Sequence, residues 1–163
     1  MDDKKICISG TNNRYMMKKV TKEPIVEKKR QGHVELNFIN QIDLICGEIN
    51  PAVEQQINRK ISGYKQQDLK KGVYDDSQFI NIGSIVNKMR ETDLKCYYCK
   101  VEMMILYEMA REAKQWTVDR VDNDFGHNLG NYHLACLSCN LKRRRTNHDK
   151  FLFTKQLGIV KKL

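Results

Sequence analysis

Four cysteines carry the most specific chemistry in this chain. Cys96-Tyr97-Tyr98-Cys99 and Cys136-Leu137-Ser138-Cys139 form two CxxC pairs separated by 36 residues. Each pair offers two thiolates to one metal ion. Two such pairs close a tetrahedral four-sulfur site, the usual arrangement of a structural Zn2+. Four thiolates leave no open coordination position, so a metal held there is structural rather than catalytic. The gap exceeds the roughly 15–20 residues of a compact zinc ribbon, so a pair of strands has to fit between the knuckles. Two redox-active CxxC motifs are the alternative reading, although neither pair follows a thioredoxin-like βαβ pattern. Cys7 and Cys46 have no partner at metal-binding spacing and read as inert thiols or small core residues.

The segment between the pairs has its own order. Trp116 to Val121 alternates apolar and polar residues and predicts a strand. Residues 122–130 are acidic and rich in Asn and Gly, which predicts a turn. Tyr132-His133-Leu134-Ala135 predicts a second strand. From Cys136 the pattern turns helical and runs into the basic Lys142, Arg143, Arg144 and Arg145. Read together, Trp116-Thr117-Val118-Asp119-Arg120-Val121-Asp122-Asn123, Gly126-His127, Asn131 and Cys136-x-x-Cys139-Asn140-x-Lys142 resemble the four-cysteine HNH-type endonucleases of large DNA viruses and phages. The resemblance covers residues 94–150. It implies an α+β fold: a ββα-metal domain bracketed by a four-cysteine zinc site (Cys96, Cys99, Cys136 and Cys139) and preceded by helices. The implied activity is metal-dependent hydrolysis of DNA phosphodiester bonds, with double-stranded DNA as the expected partner.

The resemblance also assigns roles. Asp119 matches the carboxylate that binds a catalytic Mg2+ or Mn2+, and Asn140 matches the second ligand, on the following helix. Asn131 matches the residue that ties the loop between the strands. Such a metal neutralises phosphate charge and stabilises the leaving 3′ oxygen. One position departs from the pattern: Arg120 stands where the general-base histidine is expected, and an arginine stays protonated. Three readings follow. Arg120 contacts the scissile phosphate while His127 or His133 takes the proton, with Asp122 or Tyr132 behind them. Alternatively, metal-bound water reacts with little help. In the third reading catalysis is lost and the domain only binds nucleic acid.

Charge supports an acidic partner. The chain has 163 residues and a net charge of +9. That excess is unevenly placed: residues 91–139 carry five basic and eight acidic residues, and residues 140–163 carry eight and one. An acidic stretch beside a strongly basic one suits carboxylates that hold a cation next to groups that hold phosphates. Lys142, Arg143, Arg144 and Arg145 are the candidate phosphate contacts, and the predicted helix continues through them. Lys65, Lys70 and Lys71 on an earlier helix form a second candidate set.

The elements that position these residues come from apolar spacing and turn residues. Val53, Ile57, Ile61 and Tyr64 predict a helix over 52–72, stopped at Gly72. A second helix is predicted from Asn81 or Ser84 to Thr92. Asn50-Pro51 reads as a boundary, giving an arm or small extension over 1–50 and the HNH-like domain over 51–163. In the arm, Val34 to Ile39 alternates like a strand. No apolar run approaches the ~18–20 residues of a membrane span. Met1-Asp2-Asp3-Lys4-Lys5 does not resemble a signal peptide, and the reduced CxxC pairs predict an intracellular location. A non-catalytic zinc protein that holds nucleic acid on the same fold is the competing expectation.

Overall fold

A computed structural model describes residues 41–157. Cys7 and the strand-like run at 34–39 lie outside the described residues. Helix α1 spans Pro51–Lys71. The Asn50 side chain accepts the Ala52 N–H, and Pro51 takes the first helical position, where a missing N–H costs nothing. Gly72 ends the helix at φ 69°, a left-handed conformation that glycine adopts without strain. Helix α2, Ile82–Glu91, opens with a reciprocal cap between Asn81 and Ser84.

Strands β1 (Trp116–Arg120) and β2 (Tyr132–Cys136) pair antiparallel, in register from Trp116 opposite Cys136 to Arg120 opposite Tyr132. Helix α3, Leu137–Arg143, leaves β2 directly, and α4, His148–Gln156, follows a short turn. The architecture is therefore α+β, with a small two-stranded sheet. The core gathers Ile45, Val53, Ile57, Ile85, Met89, Leu94, Met103, Trp116 and Leu134, all nearly inaccessible to solvent. No helix of the described residues is long and apolar enough to cross a membrane.

Residues 41–49, which the sequence groups with the arm, pack onto this core. Ile45 is buried. The Gln41 side chain accepts the backbone N–H groups of Ile105 and Leu106 at 2.9 and 3.0 Å. The Arg90 guanidinium donates to the carbonyls of Ile45 and Gly47.

Register decides which residues share a face of the hairpin. Trp116, Val118 and Arg120 lie with Leu134 and Tyr132 toward α1 and α2. Lys60 sits 4.6 Å from the Trp116 ring, the Tyr64 hydroxyl accepts the Val118 N–H at 3.0 Å, and the Tyr132 hydroxyl donates to the Ser84 carbonyl. Thr117 and Asp119 lie with Ala135 and His133 toward α3. Helices cover both faces, so all five residues of β1 are buried. The alternation in its sequence separates two buried faces of different polarity, not a dry face from a wet one.

One expectation is corrected. The helix predicted to continue through Arg145 ends at Arg143, because Arg144 takes φ 53° and ψ −111°. Arg143 and Thr146 tie the turn in both directions: the Thr146 N–H donates to the Arg143 carbonyl, and the Arg143 guanidinium donates to the Thr146 carbonyl. The chain then enters α4 at Asn147. Lys142 and Arg145 therefore do not share one side of a helix.

Candidate active site

The four cysteines of the two pairs converge. Cys96 and Cys99 lie in the turn after α2. Cys136 ends β2 and caps α3, and Cys139 sits in the first turn of that helix. Their sulfurs all lie within 4.8 Å of one another. Backbone N–H groups of Cys136 and Cys139 point at Cys96 Sγ and Cys136 Sγ, at 3.3 and 3.4 Å. Lys100, at φ 58°, closes the knuckle by donating its N–H to the Cys96 carbonyl. A hydrogen bond from Cys136 draws the Cys96 thiol well below its ordinary range, while burial pushes Cys139 above it. Sulfurs packed this closely favour a dication that removes the remaining protons. The cluster can hold a metal ion such as zinc.

The α3 face of the hairpin brings together Asp119, His133, Asn140 and Arg143. Asp119 is 4% exposed and Arg143 is 1% exposed. Arg143 meets both carboxylate oxygens: Nη2 donates to Oδ1 at 2.9 Å, and Nε lies 2.7 Å from Oδ2. The Tyr98 hydroxyl also donates to Oδ2, at 2.5 Å. Asn140 Nδ2 donates to Thr117 Oγ1 and the Val118 carbonyl, and Oδ1 accepts no hydrogen bond among the described residues. His133 stands across the strands from Asp119 and stacks on Tyr97, with centroids 3.6 Å apart. Burial, with help from nearby His148, lowers His133 from its ordinary 6.5 to about 4, so the ring is neutral at pH 7.

The other face holds a different constellation. His127 is 4% exposed and Asp68 is 0% exposed. Asp68 accepts the His127 backbone N–H on Oδ2 at 2.6 Å and contacts Nδ1 through Oδ1 at 2.7 Å. Tyr64 stacks on the imidazole at 4.6 Å. Arg120 points the same way, with Nη1 donating to the Phe125 carbonyl at 3.0 Å and lying 4.0 Å from Asp68. The sheet thus separates Arg120 and His127 from Asp119 and Asn140. Asn131 ties the loop: its side chain donates to the Asp122 and Gly126 carbonyls and accepts the Asp122 N–H.

The basic residues divide similarly. Lys142, Arg144 and Arg145 are exposed, whereas Arg143 is buried on Asp119 and out of reach of a phosphate. Arg145, His148 and Asn147 face Asp122, Asn123 and Asp124 across a cavity of about 550 Å³ beside Arg143. Lys70 and Lys71 are exposed at the end of α1, and Lys65 lies over the Tyr74 ring.

Sequence reasoning missed Asp68 and Tyr98. The signal for Asp68 was present: it continues the stripe Val53, Ile57, Ile61, Tyr64 at helical spacing. An acid on an apolar stripe needs a buried partner. Tyr98 gave no such signal. No protein-family model, curated protein or solved structure matches the chain.

The neutral His133 has a measurable consequence. Its pKa is depressed on folding, so the unfolded chain binds the proton more tightly. Its stabilising contribution is complete above pH 6.5 and is lost as pH falls toward 4. Urea midpoints of the metal-loaded protein should fall more steeply over that window than those of His133→Gln. Equal slopes would remove His133 as the titrating group.

Proposed function

We propose that this chain is a zinc-stabilised, HNH-type endonuclease that hydrolyses phosphodiester bonds in DNA. One observation carries the reading: the hairpin and the helix that carries the last cysteine bring Asp119 and Asn140 to one face, beside the four-cysteine cluster. The donor set suits a hard cation. Asp119 is a nearly buried carboxylate that already takes a positive partner, and Asn140 Oδ1 is unengaged among the described residues. Asp119 and Asn140 would hold Mg2+ or Mn2+, which would neutralise the phosphate and stabilise the leaving 3′ oxygen. His133, across the strands from Asp119 on the same face, would accept the proton of the attacking water. Lys142, Arg144 and Arg145 hold flanking phosphates. In this reading His127 and Arg120 order the loop instead of reacting.

A second reading has its own observation. Arg143 and Tyr98 engage both oxygens of Asp119, as they would in a module that binds nucleic acid without cutting it. Incubation with supercoiled plasmid and Mg2+ or Mn2+ separates the two. Wild type should nick, and His133→Ala and Asn140→Ala should each lose about 100-fold or more. Salt-sensitive DNA binding without nicking supports the second reading. Equal cutting by both variants rejects the site as drawn.

A further inference from the structure

The ion pair on Asp119 occupies the place where the nuclease reading needs a metal. The Arg143 guanidinium faces both carboxylate oxygens, at 2.7 and 2.9 Å. A Mg2+ ion requires direct approach to at least one of those oxygens, at about 2.0–2.1 Å, and the guanidinium's positive charge opposes it there. We infer that the Arg143 guanidinium and a divalent cation are alternative occupants of the Asp119 carboxylate, so that Arg143 sets the affinity of this site for the metal. The inference rests on the nuclease reading, but it concerns binding and not cleavage.

Burial makes the exchange one for one. Asp119 is 4% exposed, and a carboxylate so placed is costly without a positive partner. Arg143 cannot simply withdraw; it leaves Asp119 as the cation arrives. The surrounding chain is built to let it go. Arg143 is the last residue of α3, and its neighbour Arg144 sits at φ 53°, a conformation unfavourable for a side-chain-bearing residue. Arg143 also donates to the Arg120 and Thr146 carbonyls, so its side chain links β1 to the turn that leads into α4. Its release relaxes that turn, which carries the exposed Arg144 and Arg145. The cavity beside Arg143, lined by Asp122, Asp124, Asn147 and His148, gives the side chain space to move into. Metal occupancy and the placement of the basic turn are therefore coupled, and coupling of this kind is reciprocal.

The test measures Mn2+ binding to the full-length, zinc-loaded chain by titration. Arg143→Gln should bind Mn2+ about 10-fold or more tightly than wild type, and adding Asp119→Asn should abolish the gain. Equal or weaker binding by Arg143→Gln overturns the inference, as does Mn2+ binding by neither protein. Should Arg143→Gln fail to fold, wild type alone decides. Its Arg143 Nε–H resonance should lose protection and shift at saturating Mg2+, and an unchanged signal overturns the exchange. Neither readout requires cleavage. An inactive protein that exchanges Arg143 for metal refutes the nuclease reading alone, and an active one that does not exchange refutes this inference alone.

Discussion

Removing metal from the four-cysteine cluster should unfold the hairpin and α3. Cys96 and Cys99 belong to the turn after α2, and Cys136 and Cys139 to the junction of β2 and α3, so a bound ion would join segments about forty residues apart. Without it, sulfurs within 4.8 Å of one another must share protons in a largely buried site. Structural zinc in finger peptides contributes roughly 10–16 kcal/mol of apparent binding energy. A domain of this size has a total stability of only about 5–15 kcal/mol. Losing the ion would therefore cost about as much as the whole stability of such a domain. Metal analysis should find about one equivalent per chain. Chelation or Cys136→Ser should abolish the cooperative thermal transition. A metal-free protein that melts at the same temperature would sink the claim.

The second large effect lies on the opposite face of the sheet. Asp68→Ala should destabilise the fold by about 3–5 kcal/mol, because it strands two buried donors of His127 and leaves Arg120 without its nearest anion. Packing tightens the site further: a Cβ at Gly126 would lie 2.5 Å from the Val73 carbonyl and 2.9 Å from Asp68 Oδ2. Asp68→Asn retains a hydrogen-bond acceptor and loses the charge, so its cost should be smaller. Urea denaturation of the metal-loaded variants checks both. An Asp68→Ala loss under about 1 kcal/mol, the range of an exposed pair, would show that the clamp does not hold the loop.

The two effects differ in how readily they are read from residue order. The cysteine cluster is legible because two short CxxC spacings leave few ways for four sulfurs to converge, the arrangement a tetrahedral metal would need. The helices are legible because apolar spacing and caps act locally. Gly72, Asn81 and Ser84 mark ends that fall within a residue or two of the observed ones. The order strand, loop, strand, helix was legible for the same reason. The end of α3 was not. Helical propensity continues through Arg144 and Arg145, but the Arg143 side chain bends back to Asp119 and the Thr146 carbonyl and the helix stops at Arg143.

The roles of the charged residues show where local reading stops. Arg120 follows Asp119 directly, yet the two diverge, because successive strand residues point to opposite faces and here both faces are covered. Arg143 sits in a basic run that looks solvated, yet it is 1% exposed. Asn140 and Arg143 are three residues apart on one helix, so both meet β1, and the carboxylate of Asp119 captures the nearer cation. Residue order alone determined the four-cysteine cluster, the helices α1 and α2 and the hairpin, since each depends on spacing within a few residues. Only the tertiary structure decided which buried charge answers which. That depends on how α1 and α3 sandwich the hairpin, and in a dry interior each charge must find its partner across that packing or not be there.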